Sequence, residues 1–182
     1  MEKVEDTNQQ STLLTIGSTP PLVSIVGNSG AGKTTLLEKL IAAVTQRGFR
    51  VGTIKHDVHG FEMDKPGKDS WRHKQAGAVT TLISSPKQIG MVMDVERDYK
   101  PDELIVFLSN VDIILAEGYK RASHPKIELF RPEVYPEPLC GDDENLIALI
   151  SNATVDLGVP RFSLEDIDGL TGFLITHFNL TQ

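Results

Sequence analysis

The sequence predicts an α/β fold, a mostly parallel sheet flanked by helices with an added antiparallel hairpin, and three observations carry that expectation. The run LVSIV (Leu22–Val26) has the length and β-branched content of a buried strand, and it leads through the glycine-rich segment Gly27–Thr34 (GNSGAGKT) into a helix-periodic stretch. Strand-like and helix-like segments then alternate along most of the 182-residue chain. Two apolar runs, Val79–Ser84 and Ile89–Val95, flank Ser85-Pro86 and interrupt that alternation, as a hairpin at a sheet margin would.

Taken in order, residues 1–20 are polar and end in STPP, where two prolines block helix and disfavour ladder pairing, so they read as a flexible N-terminal arm before one domain, 21–182. After the first strand and its loop, Leu36, Leu37, Leu40, Ile41 and Val44 share one helical stripe, and Gly48 stands where a C-terminal cap belongs, which predicts a helix over Lys33–Arg47. Phe49–His56 follows as a strand by a link that suits a βαβ crossover, hence a parallel pair. Residues 57–69 lack periodicity and are rich in Gly, Pro and Asp, the marks of a long loop. A short helix over Ser70–Ala78, capped by Asp69 or Ser70, precedes the hairpin. Beyond it come a helix after Pro101 (DELIVFLSN), the strands VDIILAE, KIELF and NLIALIS, and a closing helix announced by Ser163 with Asp166 three residues on.

Composition bounds the function classes. The formal net charge of −7 argues against a broad electrostatic grip on nucleic acid. The single cysteine, Cys140, excludes an internal disulfide and a multi-thiolate zinc site within one chain, and it suits a reducing, cytoplasmic setting. No apolar run is long enough to span a bilayer, and MEKVEDTNQQST has no apolar centre of a signal peptide, so no membrane role is expected.

GNSGAGKT matches G-x-x-x-x-G-K-[ST], in the strand–loop–helix setting that pattern requires, and so makes the fold P-loop NTPase-like. Gly27, Gly30 and Gly32 let the backbone approach phosphate without a Cβ. The N–H groups of the loop, Asn28, Ser29 and Ala31 included, form an anion-binding concavity at a helix N-terminus. Lys33 would reach the β- and γ-phosphates, the Thr34 hydroxyl would ligate Mg²⁺, and Thr35 is placed to donate toward the α-phosphate. A magnesium ion held by one hydroxyl needs a carboxylate from the end of a buried strand. Glu117, closing DIILAEG, fits, and Gly118 behind it would bring an N–H toward the γ-phosphate; Asp112 opens the same strand at its other end and fits less well.

Further along, GNSGAGKTTLLEKLI, TIKH, DKPGKDSWRHKQAGA, ILAEGYK, HPKIELFR and IALISN together resemble accessory protein B of molybdopterin-guanine dinucleotide biosynthesis, the MobB family, over about residues 22–182. The phosphate loop is shared by many families; DKPGKDS, then RxxxAGA, then AEGYK is far more specific. The resemblance implies a dimeric GTP-binding protein with weak or no GTPase activity alone, assisting the guanylyltransferase MobA in attaching GMP to molybdopterin. It also implies that Gly30, Gly32, Lys33, Thr34 and Thr35 hold phosphates, that Glu117 helps with Mg²⁺, and that the ALISN turn lies near the base. In this chain Asn152 stands where related sequences tend to carry a carboxylate, the group able to accept from both guanine N1–H and N2–H₂, so guanine against adenine stays open.

Other constellations keep two readings each. His56, Asp57, His59, Glu62 and Asp64 suit a transition metal in residue type, but their spacing matches no closed site, and a lid or partner surface is the alternative. The cluster Trp71, Arg72, His73 and Lys74 either meets an anionic ligand such as a pterin phosphate or is a helix face with one buried aromatic, and Lys120, Arg121 and Lys126 either bind phosphate or a partner or are simply solvated. A P-loop kinase acting on a small molecule is the competing function, with Arg72, Arg97 and Arg121 as its available arginines; a nucleotide-gated module without turnover is a third. The apolar hairpin, finally, leaves an edge that a second copy would satisfy, so a homodimer with an extended sheet is expected.

Overall fold

Leu22–Val26 (β1) is buried at every residue and forms the middle of a parallel sheet in the computed structural model, which describes residues 19–181. The arm expected over 1–20 thus lies, but for its last two residues, outside the described residues. From β1 the chain runs through the loop into a helix, Lys33–Gln46 (α1), and returns as Val51–Lys55 (β2). Four further parallel strands follow, Ile113–Glu117 (β3), Lys126–Leu129 (β4), Leu146–Ile150 (β5) and the two-residue Arg161–Phe162 (β6), then a closing helix, Ile167–His177 (α2). The six strands lie in the order β2-β3-β1-β4-β5-β6. The last strand is too short to leave a periodicity, and the sequence reading missed it.

One face of this sheet is covered by helix. Leu36, Leu37, Leu40 and Val44 of α1, with Leu170 and Leu174 of α2, pack on Val23, Ile25, Leu115, Ile127 and Ile150. Each fully buried aliphatic side chain contributes about 1.5–3 kcal/mol, enough for this layer to seat α1, and hence the loop before it. The opposite face is covered by loop: Val26, Cys140 and Leu146 pack with Leu139, Leu157 and Val159. Glu128, buried within that face, accepts from the N–H groups of Leu139 and Cys140 at 2.6 and 2.9 Å and ties the loop down. Burial pushes the Cys140 thiol up to about 11, so it stays an unreactive thiol at neutral pH.

The hairpin is present, with Thr80–Ser84 paired antiparallel to Ile89–Met93, but it forms its own two-stranded sheet and does not extend the margin of the main one. Neighbouring side chains in a strand point to opposite faces, and Leu82 and Ile83 are 57% and 52% exposed, so both faces of the hairpin are open. The helix before it spans Asp69–Gln75. Lys68 occupies its cap position without a side-chain bond, so neither Asp69 nor Ser70 caps it. Lys74 pairs with Asp94 and donates to the Ala78 carbonyl at 3.0 Å, fastening helix to hairpin.

Two other helices differ from expectation. DELIVFLSN yields only one turn at Pro101–Leu104 and a 3₁₀ turn at Ile105–Phe107, because its apolar residues lack a stripe long enough to be buried. In α2 the cap is Asp166, whose carboxylate accepts from Gly169 N–H at 3.0 Å; Ser163 lies a turn too early.

Candidate functional site

The loop between β1 and α1 is shaped by close approach. A Cβ on Gly27, whose φ is 150°, would stand 2.5 Å from the Leu129 carbonyl oxygen at the end of β4, a contact no other residue could make. Gly32, with φ 99°, is the residue before α1, and no side chain caps that helix, so its first N–H groups stay open to an acceptor from outside. Lys33 folds back over the loop, its Nζ donating to the carbonyls of Gly27 and Asn28, both at 3.0 Å. Ala31 is buried beneath the loop, while Ser29, Gly30, Thr34 and Thr35 face outward.

Glu117 ends β3 directly beside this loop, in register with Ile25 of β1 on one side and Lys55 of β2 on the other. Its two carboxylate oxygens each accept from the Thr34 hydroxyl at 3.2 Å. A hydroxyl and a carboxylate in contact are hard oxygen donors, the set that Mg²⁺ takes, so these residues fit the ion the motif implies. The N–H of Gly118 is already used, donating to the Ile25 carbonyl at 3.1 Å, and this corrects its expected place beside the γ-phosphate. Tyr119 follows with φ 55° and stacks on His56, ring centroids 4.4 Å apart; His56 Nε2 also meets Asp98 Oδ2 at 2.9 Å. His56 therefore buttresses the turn after Glu117. Asp112, at the other end of β3, is bound to Arg50.

Asn152 sits at the end of β5, on the same sheet edge as the loop. Its Oδ1 accepts from the Leu164 N–H at 3.0 Å, and it shares a cavity of about 240 Å³ with Phe130, Arg131, Glu133 and Ala153. Arg131, Glu133 and Arg161 were not singled out from the sequence; the alternation of Arg131 and Glu133 around Pro132 was a signal, but only folding brings it opposite residue 152.

Of the remaining candidates, His56, Asp57, His59, Glu62 and Asp64 do not converge: among the described residues no group of three or more metal-binding side chains gathers. Lys126 is no surface phosphate binder. It is 1% exposed and its ammonium meets Asp143 Oδ2 at 2.7 Å, at the sheet edge away from the loop. Lys74 serves the hairpin, while Lys120 and Arg121 are exposed. No helix among the described residues is long and apolar enough to cross a membrane.

Comparison with known proteins points one way. The sequence profile of the family described as molybdopterin guanine dinucleotide synthesis protein B matches residues 22–152, more than half of the chain. The molybdopterin-guanine dinucleotide biosynthesis adapter protein of Escherichia coli is 38% identical over 163 residues, 85% of this chain and 91% of its own length. That of Haemophilus influenzae is 35% identical over 164 residues, 87% and 92% of the two chains. Among solved structures, Bacillus subtilis MobB superposes with a TM-score of 0.69 at 26% identity, over 87% of this chain and 98% of that one.

Proposed function

The chain belongs to the molybdopterin guanine dinucleotide synthesis protein B family, and on that premise we propose that it serves this biosynthesis as an adapter that binds GTP and Mg²⁺ on Gly27–Thr35 and hydrolyses the nucleotide slowly. The observation that carries the reading is the meeting of Thr34 and Glu117 beside an uncapped, glycine-gated helix N-terminus. Thr34 and Glu117 would hold Mg²⁺, which when bound offsets charge on the β- and γ-phosphates. Lys33 exchanges two loop carbonyls for phosphate oxygens, a stronger, charge-assisted contact. Slow turnover follows from the residue after Glu117-Gly118: it is Tyr119, stacked on His56, and not a glutamine able to orient water.

The reading extends to partners. A guanylyltransferase of the MobA type, and through it molybdopterin, is the partner that an adapter in this pathway implies. The hairpin's exposed Leu82, Ile83, Ile89, Met91 and Met93 suit a second copy of the chain, making a homodimer. The lone cysteine suits the reducing cytoplasm. A small-molecule kinase is less well served, since Arg97, one of its three available arginines, is bound to Glu103 at 2.6 Å and lies over Tyr99. Calorimetric titration with GTP and ATP, each with and without Mg²⁺, tests the proposal: GTP binding that tightens with Mg²⁺ is expected, and absence of binding by either nucleotide would sink it.

A further inference from the structure

Asn152 has its side-chain amide oriented. Because a backbone N–H can only donate, the atom facing Leu164 N at 3.0 Å is the amide oxygen, and Nδ2 is left to donate to a ligand. The turn that carries it is held in place: Ala153 N–H donates to Ser151 Oγ at 3.1 Å, and Arg161 donates to the Ala153 carbonyl at 2.8 Å. The cavity beside it opens at the ends of β4 and β5, on the sheet edge that carries the phosphate loop. Leu129, last in β4, lies against Gly27, and Phe130 N–H donates to the Ile150 carbonyl at 2.9 Å. With a strand spacing of about 4.8 Å, the end of β5 is roughly 10 Å along the edge from the end of β1. That is the separation between the phosphates and the base of one nucleotide.

An asparagine that reads adenine needs both ends of its amide, the oxygen for N6–H₂ and the nitrogen for a ring acceptor. Here the oxygen already carries the Leu164 bond and keeps one lone pair, so Asn152 alone does not settle the base, while its Nδ2 donor matches guanine O6. Guanine also presents N1–H and N2–H₂ side by side, which call for a carboxylate, and Glu133 is the carboxylate in this cavity. Arg131 Nε donates to its Oε1 at 2.8 Å, which orients the group and leaves Oε2 and the second lone pair of Oε1 to accept from a ligand. Its own backbone N–H and Arg131 hold the Glu133 carboxyl below the usual range, so it accepts and does not donate at neutral pH.

Resting on the nucleotide reading of the phosphate loop above, we infer that Glu133 determines base specificity. Its carboxylate accepts from guanine N1–H and N2–H₂ while Asn152 Nδ2 donates to O6, so that the chain selects GTP over ATP.

The test is calorimetric titration of the full chain with GTP, ATP and ITP in Mg²⁺, ITP being a guanine nucleotide without its N2 amine. GTP binds most tightly in the unaltered chain, with ITP behind it and ATP weakest. Glu133→Gln lowers GTP affinity by about tenfold, the weight of a hydrogen bond to a charged group, leaves ATP unchanged, and closes the gap between GTP and ITP. Adding Asn152→Asp to Glu133→Gln restores the GTP preference by returning a carboxylate to the cavity. Circular dichroism establishes that the variants are folded. A Glu133→Gln chain with an unchanged GTP-to-ATP ratio overturns the inference. So does an unaltered chain that binds both equally, with the phosphate-loop reading intact. An unaltered chain that binds no nucleotide overturns both.

Discussion

The two edges of the main sheet use the same kinds of residue to opposite ends. At the edge where β4 and β5 begin, charges are spent on each other. Arg50 grips Asp112 with its backbone N–H at 2.6 Å and its guanidinium at 2.6 and 3.1 Å, and buried Lys126 meets Asp143 at 2.7 Å while Asn145 donates to the same carboxylate at 2.9 Å. At the edge where β1 and β3 end, the polar groups have looser partners: Lys33 has two loop carbonyls at 3.0 Å, and Thr34 and Glu117 meet at 3.2 Å. The Asp112 carboxylate, taken on both oxygens by Arg50, has little left for a ligand, and Glu117, which faces a single hydroxyl, does. The two flank β3: Asp112 immediately before it and Glu117 at its end. The lesson is that one edge spends its charges on holding the fold together while the other leaves polar groups with acceptor and donor capacity, at the carboxyl ends of the strands where ligands of open α/β sheets sit.

If that division is right, substitutions at the two edges separate stability from binding. The largest effect is expected from Lys126→Ala, which strands Asp143 and removes a buried side chain. It should cost about 3 kcal/mol of unfolding free energy in urea, while nucleotide affinity per folded molecule stays as it was. A matching loss of affinity would mean the edges are coupled.

Lys33→Ala makes the reverse case. Triphosphate affinity should fall by about a hundredfold, the sum of charge-assisted contacts to phosphate, with the urea midpoint unmoved; unaltered affinity would remove the central claim about the loop. Glu117→Gln is subtler. A loss of about tenfold is expected in Mg²⁺ and little without it, since only the metal contact needs the full charge, and equal losses under both conditions would give Glu117 a structural role.

Acid titration tests the stabilising edge with the smallest perturbation. The Lys126 ammonium beside Asp143, helped by Asn145, lowers its carboxyl from an ordinary value near 3.8 to about 2, and Arg50 lowers that of Asp112. A folded-state pKa below the unfolded one stabilises the protein above the unfolded value, and that stability is lost as pH falls toward the folded one. Unfolding free energy should therefore decline between pH of about 4 and about 2, and less steeply in Lys126→Ala. Equal slopes in the two proteins would show that Asp143 gains nothing from its partner.

Much of this molecule was legible beforehand, for reasons that are local. LVSIV, GNSGAGKT and the stripe Leu36, Leu37, Leu40, Val44 each encode their structure within a few residues, because strand burial, phosphate-loop geometry and helix amphipathicity are short-range patterns. The place of Glu117 beside that loop was legible too, since a carboxylate that closes an apolar strand and precedes glycine has few other positions in an α/β sheet. Lys126 was misread: a lysine next to proline and a strand looks solvated until it is seen buried, with its ammonium held by Asp143 seventeen residues on.

Sequence alone thus determined the parallel core, the glycine-rich turn between Val26 and Lys33, and the family pattern, all carried by near neighbours along the chain. Tertiary structure decided what depends on residues far apart. It withdrew the Gly118 N–H by pairing it with Ile25, detached the hairpin from the main sheet, and turned Asn152 toward Leu164. It also brought Glu133 into the cavity beside residue 152. Each of these is a choice of hydrogen-bond partner or neighbour across the sheet, and such choices are set by which strands the fold places side by side, a quantity no local pattern contains.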